Sequence, residues 1–198
     1  MFGWLRGEDE IASFWRWFGK NAGRIRAAVD RQDQSVTIHE LGRRIAKAAP
    51  GVVHEIGKPD NETVELIFSA DGMKAGVPGV LALMERAPRL DRFLFTAFRP
   101  RHPGCSLKIN DETYTPGELR YVSAADEAVL HLRIFVPGDH PERARETIGF
   151  LLLDQVLGEY DVMTGLGRID FVSEAIDEGE PLTSLAAEFD AFRALTAH

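Results

Sequence analysis

The sequence predicts an α+β protein, with a mainly antiparallel sheet of five or six strands packed with about five helices in a single domain over residues 1–198. Three observations carry that expectation. Several short stretches alternate apolar and polar side chains with the period of two of a half-buried strand, and turn-forming residues join them. Other stretches place apolar residues three and four apart, which gathers them on one face of a helix. The regular strand–helix alternation of a doubly wound fold is missing, so hairpins interspersed with helices are the better description.

Residues 10–30 give the first element. Ile11, Phe14, Trp15, Phe18, Ala22, Ile25 and Val29 step by three or four and so line one face of an amphipathic helix. Arg24, Arg26 and Arg31 fall near its end, where positive charge suits the helix dipole. Residues 1–31 are expected to pack on the core as a helical arm. Trp17 lies off the apolar line, beside a basic stripe of Arg16, Lys20 and Arg24, so the FWRWF run is wider than one helix contact needs. Core packing is the preferred explanation and a partner surface the other. Thr37 and Glu40 then have capping-box spacing, with Val36 and Leu41 placed as a hydrophobic staple. The helix they start runs through Leu41, Ile45 and Ala48 and stops at Pro50–Gly51.

Two strands follow, Val52–Ile56 and Thr63–Ser69, joined by the turn-rich GKPDN; Val64, Leu66 and Phe68 share a face. Pro78 opens a helix that ends before Pro88. Arg92–Arg99 is aromatic and apolar on both faces, which predicts a central strand. The loop RPRHPG comes next, then a short hairpin of Ser106–Asn110 and Glu112–Thr115 around Asn110–Asp111. Ala128–Val136 is the clearest strand, with Leu130, Leu132, Ile134 and Val136 on one face. Arg168–Ser173 reads as a last strand, and a closing helix from Pro181 carries Leu182, Leu185, Phe189 and Phe192 on one face.

The element expected at the centre is Asp139–Asp161, DHPERARETIGFLLLDQVLGEYD. Asp139 is placed to cap, Pro141 to sit in the first turn, Glu142 to complete a capping box, and Gly158 to stop the helix. Its apolar residues cover well over half the circumference, the pattern of a helix enclosed by other elements. Asp154 interrupts the apolar run but falls within about 20° of Arg143 and Thr147, on the polar arc, so a solvated residue is preferred over a buried acid.

Composition narrows the function. An apolar fraction of 44% and a charged fraction of 27% are those of an ordinary globular chain. The single cysteine, Cys105, rules out an internal disulfide and a multi-cysteine metal site. No run approaches the length of a membrane span, acids interrupt the aromatic N-terminus where a signal peptide would need an apolar core, and a cytoplasmic location is expected. The net charge of −8 disfavours nucleic acid as a partner. That charge is uneven: residues 1–50 hold 9 basic and 6 acidic side chains, and residues 151–198 hold 2 and 10. Mutual attraction of the two ends is the plainer explanation, an acidic surface for a basic partner the sharper one.

Few residues point to chemistry. Arg99, Arg101 and His102 share a loop stiffened by Pro100 and Pro103; two arginines suit a carboxylate or phosphate, and histidine shuttles protons near neutral pH, but a solvated turn whose arginines pair with the acidic C-terminal third is the preferred reading. Glu159 and Asp161 follow the expected helix stop, with Asp170 on the next strand; a salt bridge is preferred over a cation site, because the spacing matches no calcium loop. Arg99, Arg101, His102, Glu159 and Asp161 are therefore the candidate ligand-binding residues. His131 and Arg133 project from one strand face, which Thr96 or Glu65 would join if their strands were neighbours, and a satisfied structural histidine is preferred there. The glycine runs match neither a P-loop nor a dinucleotide fingerprint, no serine sits in a nucleophile elbow, and the histidines form no HxH or HxxxH pair. No metal and no cofactor are expected.

FWxWF near the N-terminus, SADG after a strand, AFRPR ending another and LLLDxxLGEYD on a late helix together resemble a family of bacterial proteins of unknown function, over most of the chain. The resemblance implies a single bacterial domain and brings no activity or site. The expected function is accordingly a non-catalytic factor that binds another protein, as a homodimer or as an accessory or immunity-type factor. The alternative is an enzyme or sensor whose Arg/His loop holds a small anionic ligand.

Overall fold

The computed structural model describes residues 3–102, 104–109 and 111–196, with side chains from residue 10 onward. Pro103 of the RPRHPG loop and Asn110 of the expected hairpin turn lie outside those residues. The chain divides into two compact units, Met1–Phe98 and Arg99–His198.

In the first unit, helix α1 (Gly3–Asp30) buries Ile11, Phe14, Trp15, Phe18 and Ile25, the stripe its periodicity predicts. A π-helical turn, Ser35–Glu40, leads directly into α2 (Leu41–Ala48). Strands β1 (Val53–Gly57) and β2 (Val64–Ser69) pair antiparallel, Val53 opposite Ser69 and Gly57 opposite Glu65. Helix α3 (Val77–Glu85), with proline in its first turn, supplies the crossover that a parallel neighbour needs. Strand β3 (Phe93–Ala97) then pairs parallel to β2. Phe14, Trp15 and Phe18 lie against Phe68, Phe93 and Phe95, with Trp15–Phe95 and Phe18–Phe93 ring centroids 4.7 and 5.2 Å apart and edge-on. The Trp15 indole N–H, buried with them, donates to Leu83 O at 2.9 Å. Trp17 is half-buried under the Arg44 guanidinium, 3.9 Å from its ring centre.

The second unit begins with a small hairpin, β4 (Leu107–Ile109) and β5 (Glu112–Tyr114). Strands β6 (Arg120–Asp126) and β7 (Val129–Phe135) form a longer antiparallel pair. The register places Asp126 opposite Val129, so Glu127 and Ala128 make the turn, with Glu127 at a φ of 48°. Helices α4 (Glu142–Leu157) and α5 (Glu159–Gly165) cross over to β8 (Leu166–Val172), which lies parallel to β7. A two-residue strand, β9 (Glu180–Pro181), and helix α6 (Leu185–Thr196) complete the unit. The sheet order is β8-β7-β6-β9. Its core is mainly aliphatic: Leu130, Leu132 and Ile134 of β7 meet Ile148, Leu152, Leu153 and Val156 of α4, together with Leu185 and Phe189 of α6. A Cβ at Gly149 would overlap the Phe171 ring, so glycine lets α4 approach β8 closely.

The architecture corrects several expectations. Instead of one five- or six-stranded sheet, the described residues form three small sheets of three, two and four strands, with six α-helices. Two of the pairings, β2 with β3 and β7 with β8, are parallel. Arg92–Arg99 is not a central strand: β3 ends the order β1-β2-β3, its Phe93 and Phe95 facing α1 while Leu94 on its other face is exposed.

Both expected capping boxes are absent. Asp33 starts the α2 segment, its carboxylate accepting the Ser35 backbone N–H at 3.0 Å, while Thr37 turns its hydroxyl to Asp33 O at 2.8 Å and Glu40 pairs with Arg24 at 2.6 Å. A nearer side-chain turn and a charged partner outcompete the spacing signal. At α4, Pro141 occupies the cap position without a side-chain bond. Gly158, at a φ of 80°, ends α4 as expected, but a new helix, α5, starts at once at Glu159. Nor is α4 enclosed all round: Phe150 and Leu151 on its flank are exposed.

Candidate functional site

The five candidate residues converge in the second unit, together with Asp154, expected to be solvated, and Asp190, which the sequence did not single out. The Arg99 backbone and Glu159 clasp each other: Glu159 N–H donates to Arg99 O at 3.0 Å, and Arg99 N–H donates to Glu159 Oε2 at 3.1 Å. Glu159 is 0% exposed, so its carboxylate stands in for a backbone acceptor, and being so engaged is what makes burying it tolerable. The Arg99 guanidinium lies 3.7 Å from Asp154, whose side chain is only 15% exposed. Asp154 is therefore a partnered acid and not the solvated residue its helical position predicts.

Arg101 is the hub. Its Nε–H donates to Leu157 O at 2.8 Å, its Nη1 to Asp190 Oδ2 at 2.8 Å, and its Nη2 to Asp190 Oδ1 at 2.8 Å and Asp161 Oδ2 at 2.7 Å. Four hydrogen bonds engage a group with five N–H donors. The guanidinium holds the Asp190 carboxyl below the usual carboxylate range, and Asp190 in turn pushes the Arg101 pKa up. Leu157 O is one of the carbonyls left unpaired by the end of α4, so one side chain caps that helix, holds the first turn of α5 and bridges to α6. The Gly158 break also reverses the electrostatics expected for Glu159 and Asp161. They lie in a first helical turn, where negative charge is favoured, instead of at a helix C-terminus. The positive φ at Gly158, which L side chains rarely adopt, is what favours glycine there.

His102 joins through its backbone, donating to Gln155 O at 2.6 Å and accepting from Cys105 N–H at 3.0 Å, and the residue itself is exposed. The Gln155 side-chain Oε1 is buried with no hydrogen-bond partner among the described residues, a desolvation cost. Chemically the cluster is a fastening: its cations already hold carboxylates. Asp190 was the residue sequence reasoning missed, because nothing local distinguishes an acid next to Phe189 on an amphipathic helix.

The other candidates lie elsewhere. Asp170 pairs with Arg168 at 2.8 Å, and His131 Nδ1 accepts the Arg168 N–H at 2.8 Å, a satisfied histidine as preferred. Arg133 pairs with Glu174 at 3.4 Å, while Thr96 donates to Glu65 at 2.5 Å across β2 and β3 of the first sheet. Cys105 is exposed. Tyr121 donates to Glu188 at 2.5 Å, and its pKa is pushed up to about 12, chiefly by burial and then by that carboxylate. Among the described residues no group of three or more His, Cys, Asp or Glu is placed to hold a metal ion, and no helix is long and apolar enough to cross a membrane. A cleft of about 560 Å³ in the first unit is lined by His54, Thr37 and Ile38, and there His54 Nε2–H donates to Thr37 O at 2.6 Å. In the second unit one of about 480 Å³ has walls of both signs, including Arg133, Arg168, Glu142 and Glu146.

Charge separates the units. Residues 1–98 hold 14 basic and 13 acidic side chains, and residues 99–198 hold 9 and 18. Among the described residues, Glu127, Asp177, Glu178 and Glu180 have no cationic side chain within 4.0 Å. Comparison with known protein families, curated proteins and solved structures gave no match.

Proposed function

We propose that this protein is a non-catalytic factor that binds another protein, and that the acidic second unit makes the contact. The observation that carries the reading is the surplus of carboxylates there, of which Glu127, Asp177, Glu178 and Glu180 have no cationic side-chain partner among the described residues. Uncompensated charge of one sign raises the local concentration of oppositely charged partners and speeds their encounter. The aromatic run of α1, the other feature that favoured a partner surface, is spent on the first unit's own core, so the weight of the reading moves to the second unit. The competing function, an enzyme or sensor holding a small anion on the 99–102 loop, requires Arg101 to release Asp190 and Asp161 first, and so loses ground.

Pull-down from a native lysate together with sedimentation across a range of concentrations tests the proposal. The expected result is a retained protein that is released as salt rises towards about 0.5 M, where surface charges are screened. A strictly monomeric protein that recovers no partner would sink it. Calorimetric titration with inorganic phosphate addresses the competitor, for which saturable heat abolished by Arg101→Leu would be the signature.

A further inference from the structure

Resting on that reading of the second unit, we propose that the outer edge of β6 accepts an extended basic segment of another protein as an added strand. Strand β9 pairs with β6 only at Arg120 and Tyr121, so the lane beside Val122–Asp126 holds no strand among the described residues. One hydrogen bond sets which backbone groups face that lane. Leu182 N–H donates to Leu119 O at 3.1 Å, so position 119 aims its peptide groups outward, and the antiparallel alternation carries this to Tyr121, Ser123 and Ala125. The N–H and C=O of Ser123 and Ala125 therefore form a ready template for strand addition. From Val122 to Ala125 the side chains are small, and the lysines and prolines that commonly guard an edge are absent.

Charge chooses the occupant. Asp126 and Glu127 mark one end of the lane, Asp177 and Glu178 lie three and two residues before β9 at the other, and Glu188 accepts the Ser123 hydroxyl between them. A second copy of this edge would set the same acids against one another, which cross-strand pairing penalises. A strand alternating lysine with an apolar residue instead places cations along one face while its backbone meets Ser123 and Ala125.

The test uses the full chain and a fluorescein-labelled peptide of six Lys–Val repeats, followed by anisotropy at low ionic strength. Saturable binding is expected, weakened about tenfold or more by Ala125→Pro. That substitution removes one outward N–H and no ladder bond, which an edge strand tolerates, and circular dichroism checks its fold. The charge reversal Glu127→Lys with Glu178→Lys, at exposed positions, should weaken binding by a similar factor and covers the case in which the proline variant does not fold. Equal affinity for a folded Ala125→Pro variant, or for a Glu–Val peptide of the same length, overturns the proposal. So does the absence of peptide binding, and if the native pull-down still retains a partner, the broader reading of an acidic binding unit survives that failure.

Discussion

The two units follow one plan with different materials. Each has an antiparallel pair (β1 and β2, or β6 and β7), then a helical crossover, then a strand parallel to the second member of the pair. The amino-acid sequences show no repeat. In the first unit the sheet is covered by interlocked aromatic rings, with charges nearly balanced; in the second the core is mainly aliphatic and acids outnumber bases two to one. What the plan demands is short: a hairpin, a helix long enough to return, and one buried face on the middle strand. The chemistry of that face is left open, and so is the charge outside it, which is where the units diverge and where a function can reside.

Substitutions sharpen this comparison, and the spectroscopic probes are already separated, since the three tryptophans lie in the first unit and the three tyrosines in the second. The largest effects are expected in the cores. Phe18→Ala, which removes a fully buried ring touching five other aromatics, should cost about 3–5 kcal/mol, and Leu152→Ala about 2–4 kcal/mol. Urea midpoints at unchanged slope measure both, and a Phe18→Ala cost below that of Leu152→Ala would break the picture of an interlocked aromatic layer.

Next comes the fork. Arg101→Leu strands two carboxylates and a helix-end carbonyl and should cost about 2–3 kcal/mol, whereas Arg24→Ala, which breaks a single exposed pair in the first unit, should cost about 0.5 kcal/mol. Comparable values would mean that the fork is ordinary surface pairing. Asp154→Ala should fall between them at about 1 kcal/mol, because its partner Arg99 is partly buried. A cost near zero would restore the solvated residue that the helical wheel predicts.

The smallest effect is a pH dependence. The folded-state pKa of Asp190 is depressed, so its contribution is present above the unfolded carboxylate value of about 3.9 and is lost as pH falls through the lower folded one. Asp190→Asn should therefore differ from the parent by less than about 1 kcal/mol at neutral pH, since the residue is largely exposed, and the difference should vanish in strong acid. A difference that grows on acidification would contradict the sign.

Legibility in the sequence tracked local pattern. Val64, Leu66 and Phe68, or Leu130, Leu132 and Ile134, announce buried strand faces because alternation survives where one side meets a core. Strand β6 escaped notice because it is exposed from Val122 onward, so nothing selects alternation there. The 99–102 loop was legible as a cluster of cations, and Glu159 and Asp161 as a separate cluster of acids, yet the outcome hinged on Asp190, 89 residues away from Arg101 in the chain. Helix termini misled most: the capping spacings at Thr37 and Asp139 exist, but Asp33 and Pro141 took those roles.

The fork at Arg101 also imposes an order in time. Its three carriers of negative charge or dipole, Leu157 O, Asp161 and Asp190, lie 56, 60 and 89 residues further along the chain. At a synthesis rate of roughly 5–20 residues per second, about 4 to 18 seconds separate Arg101 from Asp190. The first unit is fully made before any of the three exists, and for the last second or more of that interval Arg101 has its α4 and α5 partners without the bidentate one. The clasp can therefore be completed only once α6 has been made.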